Sequence, residues 1–240
     1  MKKYDTSQFE KDLAELGIGL TDRQIEKFLL YYEMLVEWNG FMNLTTITEY
    51  DEVMKKHFID SLSLIKAYDL SQEKKVIDIG TGAGFPGLVL KIAFPQLEIT
   101  LLDSLNKRIQ FLDAVIQNLS LTAVETVHGR AEDFAKPEKL RECFDLAVSR
   151  AVSNLSTLSE YCLPFVKQGG YFISYKSEKI SEETEAAKNA ITLLGGKIRR
   201  QIDFTLPDSD IYRNFLLIEK VTATPKKYPR KAGLPSKEPL

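Results

Sequence analysis

The chain has 240 residues, 44% hydrophobic and 28% charged, which suits one globular domain, or one domain with a small appendage. Two cysteines and two histidines are too few for a disulfide scaffold or a zinc module, so we expect Cys143 and Cys162 to be core residues and no metal site. No apolar run approaches the ~18 residues that cross a bilayer, and none follows the N-terminal lysines as in a signal peptide. These features predict a reduced, cytoplasmic protein with no membrane partner.

Basic residues are concentrated in a proline-rich C-terminal segment. Residues 224–240 carry five Lys or Arg against one Glu, a net of +4, and four of the nine prolines. The other 223 residues carry 27 basic against 33 acidic side chains, a net of −6. The asymmetry is typical of a tail that binds a polyanion, but a loose, solvated terminus has the same composition.

Residues 1–70 have the pattern of helices. Ser7 is a candidate cap for a first helix, and Thr21 with Gln24 has the form of a capping box that opens a second. Gly40 is the predicted end of the second helix. Further helical pattern runs from about residue 48 to residue 67, so we expect an N-terminal helical extension.

From Lys74 onward, short β-rich runs alternate with amphipathic segments, which is the pattern of a parallel sheet covered on both faces. Five such runs lie at 76–79, 98–103, 123–128, 144–149 and 170–175. Two more, 197–206 and 214–221, are joined by only seven residues, whereas a parallel crossover needs roughly a dozen. The sequence therefore predicts an α/β fold of five parallel strands with a terminal antiparallel hairpin.

The most informative segment is VIDIGTGAGFPG, residues 76–87, where a predicted strand meets a glycine-rich loop. Pro86 then stands where the first turn of a helix can spare a backbone N–H. Glycines let the backbone approach a ligand closely, and the following helix offers unpaired N–H groups. Three alternating glycines and a fourth exceed what a plain strand-to-helix turn needs, so the loop predicts a cofactor site.

Two cofactors compete for this loop. The G-x-G-x-x-G match at 82–87, with Asp103 16 residues beyond it, is close to the dinucleotide pattern. Asp78, however, precedes the first glycine, where a carboxylate repels a pyrophosphate but suits the ammonium group of S-adenosylmethionine. Asp103 can then bind the ribose diol, and the terminal hairpin fits a methyltransferase better. Methyl transfer is favoured, and an NAD-dependent oxidoreductase or a small-molecule methyltransferase is the alternative.

Further candidates follow the other predicted strands. Ala131 and Glu132 come after the third strand, where they can contact an adenine edge or simply begin a helix. Arg150 ends the fourth strand and can contact a cofactor carboxylate, an RNA phosphate or a local ion-pair partner. His57 either touches a substrate or makes a structural contact with Asp60.

The segment after the fourth strand, Ser149 to Val152, restricts the chemistry. It lacks the polar-Pro-Pro-aromatic motif that amino-group methylation usually needs. Neither cysteine is placed as the nucleophile that pyrimidine C5 methylation requires. A ring nitrogen with an in-plane lone pair, such as guanine N7, needs no general base, so the enzyme mainly has to position it.

Seven segments carry a further pattern: NGFMNLT (39–45), HFIDSL (57–62), DIGTGAGFPG (78–87), LLDSLNKR (101–108), GRAED (129–133), SRAV (149–152) and YPRKAGLPSKEPL (228–240). Together they resemble the bacterial ribosomal RNA small-subunit methyltransferase G family (RsmG), also called glucose-inhibited division protein B. The resemblance spans nearly the whole chain. It implies methylation of guanine N7 in the 530 loop of 16S rRNA, with S-adenosylmethionine as cofactor and the small ribosomal subunit as partner.

The resemblance also implies a Rossmann-like class I methyltransferase sheet, and we expect a helical extension at 1–70, a catalytic domain at 71–223 and a basic tail at 224–240, in a monomer. The predicted cofactor contacts are Asp78, Gly80, Gly82, Gly84, Phe85, Asp103, Ser104, Ala131, Glu132 and Arg150. The predicted RNA contacts are Lys107, Arg108, Arg130, Arg150, Arg213, Lys226, Lys227, Arg230 and Lys231. No catalytic residue is assigned, and a cofactor-binding ribosome assembly or regulatory factor is the alternative function.

Overall fold

The computed structural model describes residues 4–150, 153–177 and 180–240, and a seven-stranded sheet is at its centre. The strand order is β3-β2-β1-β4-β5-β7-β6. The first five strands are parallel, and β7 lies antiparallel between β5 and β6, which confirms the predicted terminal hairpin. The strands are β1 (Lys75–Ile79), β2 (Glu98–Asp103), β3 (Val124–His128), β4 (Phe144–Ser149), β5 (Val166–Lys176), β6 (Gly196–Thr205) and β7 (Tyr212–Lys220).

Helices cover both faces of this sheet, and residues alternate along the strands between two cores. One core joins Val76, Leu101 and Leu146 to the N-terminal helices, and the other joins their neighbours on the opposite face to the helices after β4. The helices are α1 (Ser7–Glu15), α2 (Asp22–Met42), α3 (Tyr50–Val53), α4 (Asp60–Leu62), α5 (Gly87–Ala93), α6 (Asn106–Asn118), α7 (Ala131–Phe134), α8 (Leu155–Cys162), α9 (Ser181–Leu193) and α10 (Leu234–Lys237). A π-helical segment, Met54–Ile59, joins α3 to α4.

The second helix begins as predicted and ends later than predicted. Thr21 and Gln24 form the full capping box. Gly40, however, lies inside the helix, which continues to Met42 and ends at Asn43 in the left-handed conformation, with φ 51°. Asparagine tolerates this conformation, and the Asn39 side chain accepts hydrogen bonds from the two backbone N–H groups that follow Asn43. Ser7 is the first residue of α1 rather than its cap.

Only one of the two cysteines is a core residue. Cys162 is buried, but Cys143 is exposed just before β4, where its thiol donates to the carbonyl of Arg141. The prediction for Cys143 was therefore wrong, because a strand's entry point carries no alternation that indicates burial. Within the described ranges, no helix is long and apolar enough to cross a membrane.

The C-terminal segment (residues 224–240) is packed against the second core and is not a loose terminus. Tyr228 is buried in that core, and Pro235 is buried in α10. The guanidinium of Arg141 donates to the carbonyls of Tyr228, Thr224 and Pro225. The Thr157 hydroxyl, on α8, donates to the Pro235 carbonyl, so the segment also packs on α8, on the face of the sheet opposite the N-terminal helices.

Candidate functional site

The loop between β1 and α5 is built from glycines that no other residue can replace without strain. Gly84 has φ +97°, and a Cβ there would lie 2.5 Å from the hydroxyl of Tyr31. A Cβ at Gly87 would lie 2.3 Å from Leu101 and 3.0 Å from a carboxylate oxygen of Asp78. The loop is therefore held tightly against β1, β2 and α2, and it brings the N-terminus of α5 to the carboxyl edge of the sheet.

Asp78 lies fully buried beneath this loop. Its Oδ2 accepts hydrogen bonds from the Thr81 hydroxyl at 2.6 Å and from the Gly87 N–H at 2.8 Å. Among the described residues, no hydrogen-bond partner is present for its buried Oδ1. Burial raises the pKa of Asp78 from 3.8 to about 6, although both hydrogen bonds act in the opposite direction.

Asp103, at the end of β2, connects the glycine loop to the next crossover. Its Oδ2 accepts from the Gly82 N–H at 2.9 Å and pairs with Arg108 at 3.1 Å. Its Oδ1 accepts from the Leu105 N–H at 2.9 Å. The carboxylate is thus fixed at the carboxyl edge, beside the first turn of α6.

A cavity of ≈ 190 Å³ opens between the carboxyl ends of β1, β2 and β3. It brings together seven predicted site residues, namely Gly80, Asp103, Ser104, Arg108, Arg130, Ala131 and Glu132. Gly129 and Tyr161 also line it; Tyr161, on α8, was not predicted from the sequence. The volume is below the roughly 300 Å³ of most ligand pockets, so it suits part of a ligand that continues along the glycine loop.

A second cluster, on the other side of the glycine loop, contains Phe85. The Phe85 ring stacks on His57 with 4.5 Å between ring centroids, and the Arg150 guanidinium lies 5.1 Å from the Phe85 centroid. Arg150 and His57 Nδ1 are 3.1 Å apart, and His57 Nε2 is 2.9 Å from the Thr45 hydroxyl. Because the guanidinium only donates, Nδ1 is the acceptor and Nε2 carries the proton. Burial and the charge of Arg150 lower the pKa of His57 to about 3, so the ring is neutral at neutral pH.

Asp60 anchors this second cluster and was recognised only as a contact of His57. Its two oxygens pair with Arg150 at 2.8 Å and with Arg213 at 2.6 Å, and the carboxylate is buried. The π-helical segment contains His57 and directly precedes Asp60, and both side chains contact Arg150, which follows β4. Arg150 therefore has the local ion pair that the sequence allowed, and Arg213 shares it.

The predicted RNA contacts divide into exposed side chains and side chains that bind acceptor groups of the protein. Lys226, Lys227 and Lys231 are exposed on the C-terminal segment, and Arg130 is exposed at the cavity. Arg230 is not free in this way, because its Nε and Nη2 bind the fully buried carboxylate of Glu160. Lys107 donates to the carbonyl of Met42 and so joins α6 to the end of α2.

The residues present fit S-adenosylmethionine as a ligand of this edge. The carboxylates of Asp103 and Glu132 line the cavity, and Asp78 supplies an unpaired buried oxygen under the loop. A pyrophosphate fits poorly, because two carboxylates, Asp78 and Asp103, flank the glycines. In the described part of the chain, no group of three or more His, Cys, Asp or Glu is placed to hold a metal ion.

The order of the strands in the sheet and the glycine loop after β1 define the Rossmann-like fold of class I S-adenosylmethionine-dependent methyltransferases. Solved structures agree: a methyltransferase from Pyrococcus furiosus superposes with a TM-score of 0.56 at 16% identity, over 84% of this chain and 100% of that one. TYW2 from M. jannaschii, solved in complex with AdoMet, gives 0.52 at 15% identity, over 63% and 71%. At these identities the likeness concerns the fold alone.

The chain belongs to the GidB family, rRNA small subunit methyltransferase G, whose profile matches residues 24–209. It is 54% identical to the ribosomal RNA small subunit methyltransferase G of Lachnoclostridium phytofermentans, over 98% of each chain. It is 48% identical to the Clostridium tetani protein of the same name, over the full length of both. The resemblance seen in the sequence is confirmed.

Proposed function

We propose that this protein transfers the methyl group of S-adenosylmethionine to N7 of a guanine in the 530 loop of 16S rRNA. Family membership supports the small-subunit rRNA as the substrate. The observation that supports this chemistry is a pair of carboxylates, Asp78 and Asp103. They accept hydrogen bonds from backbone N–H groups at two places in the glycine loop, beside the cavity. A carboxylate at the position of Asp78 would repel the pyrophosphate of a dinucleotide.

Five residues would hold the cofactor. Ala131 and Glu132 line the recess for the adenine, and Asp103 faces the ribose diol. Asp78 has the free oxygen for the ammonium group, and Arg150 carries a positive charge for the carboxylate. When bound, the sulfonium supplies an activated methyl group that needs only an aligned nucleophile.

The surrounding side chains support a nitrogen nucleophile that already has a lone pair. Cys162, on α8, is fully buried, and burial raises the pKa of its thiol well above the usual range, so it does not suit covalent C5 chemistry. His57 is neutral, and both ring nitrogens are occupied by Arg150 and Thr45. Guanine N7 needs no proton removed, which matches this environment.

The direct test is methyl transfer to small subunits from cells that lack this gene, with the modified nucleoside identified by mass. We expect label in 7-methylguanosine, and a loss of at least about 100-fold in Gly80→Asp, because a carboxylate would fill the cavity edge beside Asp103. Gly40→Ala is the matched control, since open space surrounds that helical glycine. If the RNA stayed unlabelled although the protein bound the cofactor, methyl transfer would be excluded. The alternative function, a ribosome assembly or regulatory factor, would then be favoured.

The exposed lysines of the C-terminal segment are the proposed phosphate contacts. Replacing Lys226, Lys227 and Lys231 with alanine should weaken RNA binding and reduce the slope of log K against log salt by about 2 to 3. Cofactor affinity should not change. The matched control replaces three exposed lysines on other elements, Lys11, Lys188 and Lys197. An unchanged salt slope in the first variant, measured by filter binding, contradicts the assignment.

A further inference from the structure

The C-terminal segment touches the cofactor cavity through a backbone hydrogen bond. The N–H of Gly233 donates to Glu132 Oε1 at 2.8 Å, and Glu132 is a buried lining residue of the cavity. Gly233 has φ +83°, a conformation that points its N–H inward at the start of α10. A residue 101 positions away in the chain thus fixes the side chain that faces the adenine recess.

A second contact ties the same segment to α8. The Arg230 guanidinium binds Glu160 with distances of 2.7 to 3.1 Å, and the Arg230 N–H donates to the same carboxylate at 2.7 Å. The Thr157 hydroxyl donates to the Pro235 carbonyl at 2.9 Å. Glu160 is fully buried and is followed by Tyr161, which lines the cavity, so the segment supports the wall from both sides.

We propose that residues 228–236 are a structural part of the adenosine site, in which Gly233 is a positioning residue for Glu132. This inference rests on the proposed function, because it concerns the same cofactor. The N–H of Gly233 donates to one carboxylate oxygen of Glu132, whose side chain lines the cavity. Glu132 is thereby held in one orientation before the ligand arrives, which reduces the entropy lost on binding.

The same segment therefore has two functional faces. Tyr228, Arg230 and Gly233 face inward, toward the core and the cavity, whereas Lys227 and Lys231 face solvent. Docking of the segment favours cofactor binding, and by thermodynamic reciprocity cofactor binding must favour docking. The basic face that we assign to RNA is then held most firmly in the cofactor-loaded enzyme.

A truncation tests the inward face. Removing residues 232–240 eliminates the Gly233 donor but keeps the pair between Arg230 and Glu160. We expect Kd to rise about 10-fold for S-adenosylmethionine and equally for 5′-methylthioadenosine, which lacks the amino-acid portion, as measured by calorimetry. The matched control removes only residues 237–240 and retains Gly233. A folded 232–240 deletion with unchanged Kd for both ligands overturns the proposal.

Amide hydrogen exchange of the intact protein provides a test that does not depend on how the variant folds. Saturating 5′-methylthioadenosine should slow exchange in residues 230–236 by about 10-fold, the reciprocal of the affinity change. Exchange in α9 serves as the internal control. Equal exchange with and without ligand overturns the inference. If the intact protein bound neither ligand, the proposed function itself would fail, so the two outcomes are distinct.

Discussion

Replacing Asp60 with alanine is expected to lower the free energy of unfolding by about 3–5 kcal/mol. The carboxylate is buried and pairs with both Arg150 and Arg213. Without it, the Arg150 and Arg213 guanidinium groups remain together in a partly buried site and lose the ion-pair partner that they share. We expect the loss to be measurable as a shift of the urea unfolding midpoint at constant slope.

The control for this prediction is an exposed ion pair on the same helical run. Glu52 pairs with Lys56 at the surface, so Glu52→Ala should cost less than about 1 kcal/mol. The double variant with Arg213→Met and Asp60→Ala should lose less stability than the sum of the two single variants. Asp60→Ala alone leaves the Arg213 charge without its partner, and Arg213→Met removes that charge. An Asp60→Ala protein within about 1 kcal/mol of the wild type would show that the cluster is not a structural anchor.

The sheet was predictable because its evidence is local. The bounds at 98–103 and 144–149 agree with β2 and β4 as predicted, and the short connection between β6 and β7 required antiparallel pairing. Periodicity and connection length are properties of neighbouring residues, so one sequence contains them. The end of α2 was misplaced because glycine and asparagine both end helices, and only the contacts of Asn39 favour the later position.

The ion pairs of the site were mostly beyond prediction. Asp60 lies 90 positions before Arg150 and 153 positions before Arg213. Nothing in the local sequence indicates which of the many charged side chains will form ion pairs. Composition identified the C-terminal segment as basic but not which side chains point inward. The aspartate before the glycine loop was predictable as a special residue, since its spacing from the glycines fixes where β1 ends.

Replacing that aspartate in the variant Asp78→Asn is expected to weaken cofactor binding. The asparagine oxygen can accept from Thr81 and Gly87 as the carboxylate does, so the loop should be retained. The charge that we assign to the cofactor ammonium is lost. Affinity for S-adenosylmethionine should fall by about 10- to 100-fold at pH 7, because hydrogen bonds between charged groups contribute about 1.5–3 kcal/mol. Affinity for 5′-methylthioadenosine, which has no ammonium group, should change far less.

The pH dependence of Asp78 makes the prediction sharper, because binding and stability should move in opposite directions. Its pKa is raised to about 6 in the folded protein against 3.8 for the free group, so the native state holds the proton between these values. Its contribution to stability is complete below pH ~4 and is lost as the pH rises through ~6, by about 3 kcal/mol. Cofactor affinity should rise over the same interval, as the carboxylate ionises.

If Asp78 does not titrate between pH 4 and pH 7, the differences in stability and in cofactor affinity between Asp78→Asn and the wild type should not depend on pH. We therefore expect the asparagine variant to gain stability relative to wild type between pH 4 and pH 7, while its relative affinity falls. Thr81→Val is the control, since it removes one hydrogen bond and keeps the buried carboxylate. Parallel pH curves for the Asp78→Asn and wild-type proteins, in urea unfolding and in calorimetry, would exclude an ionisable Asp78 from the cofactor site.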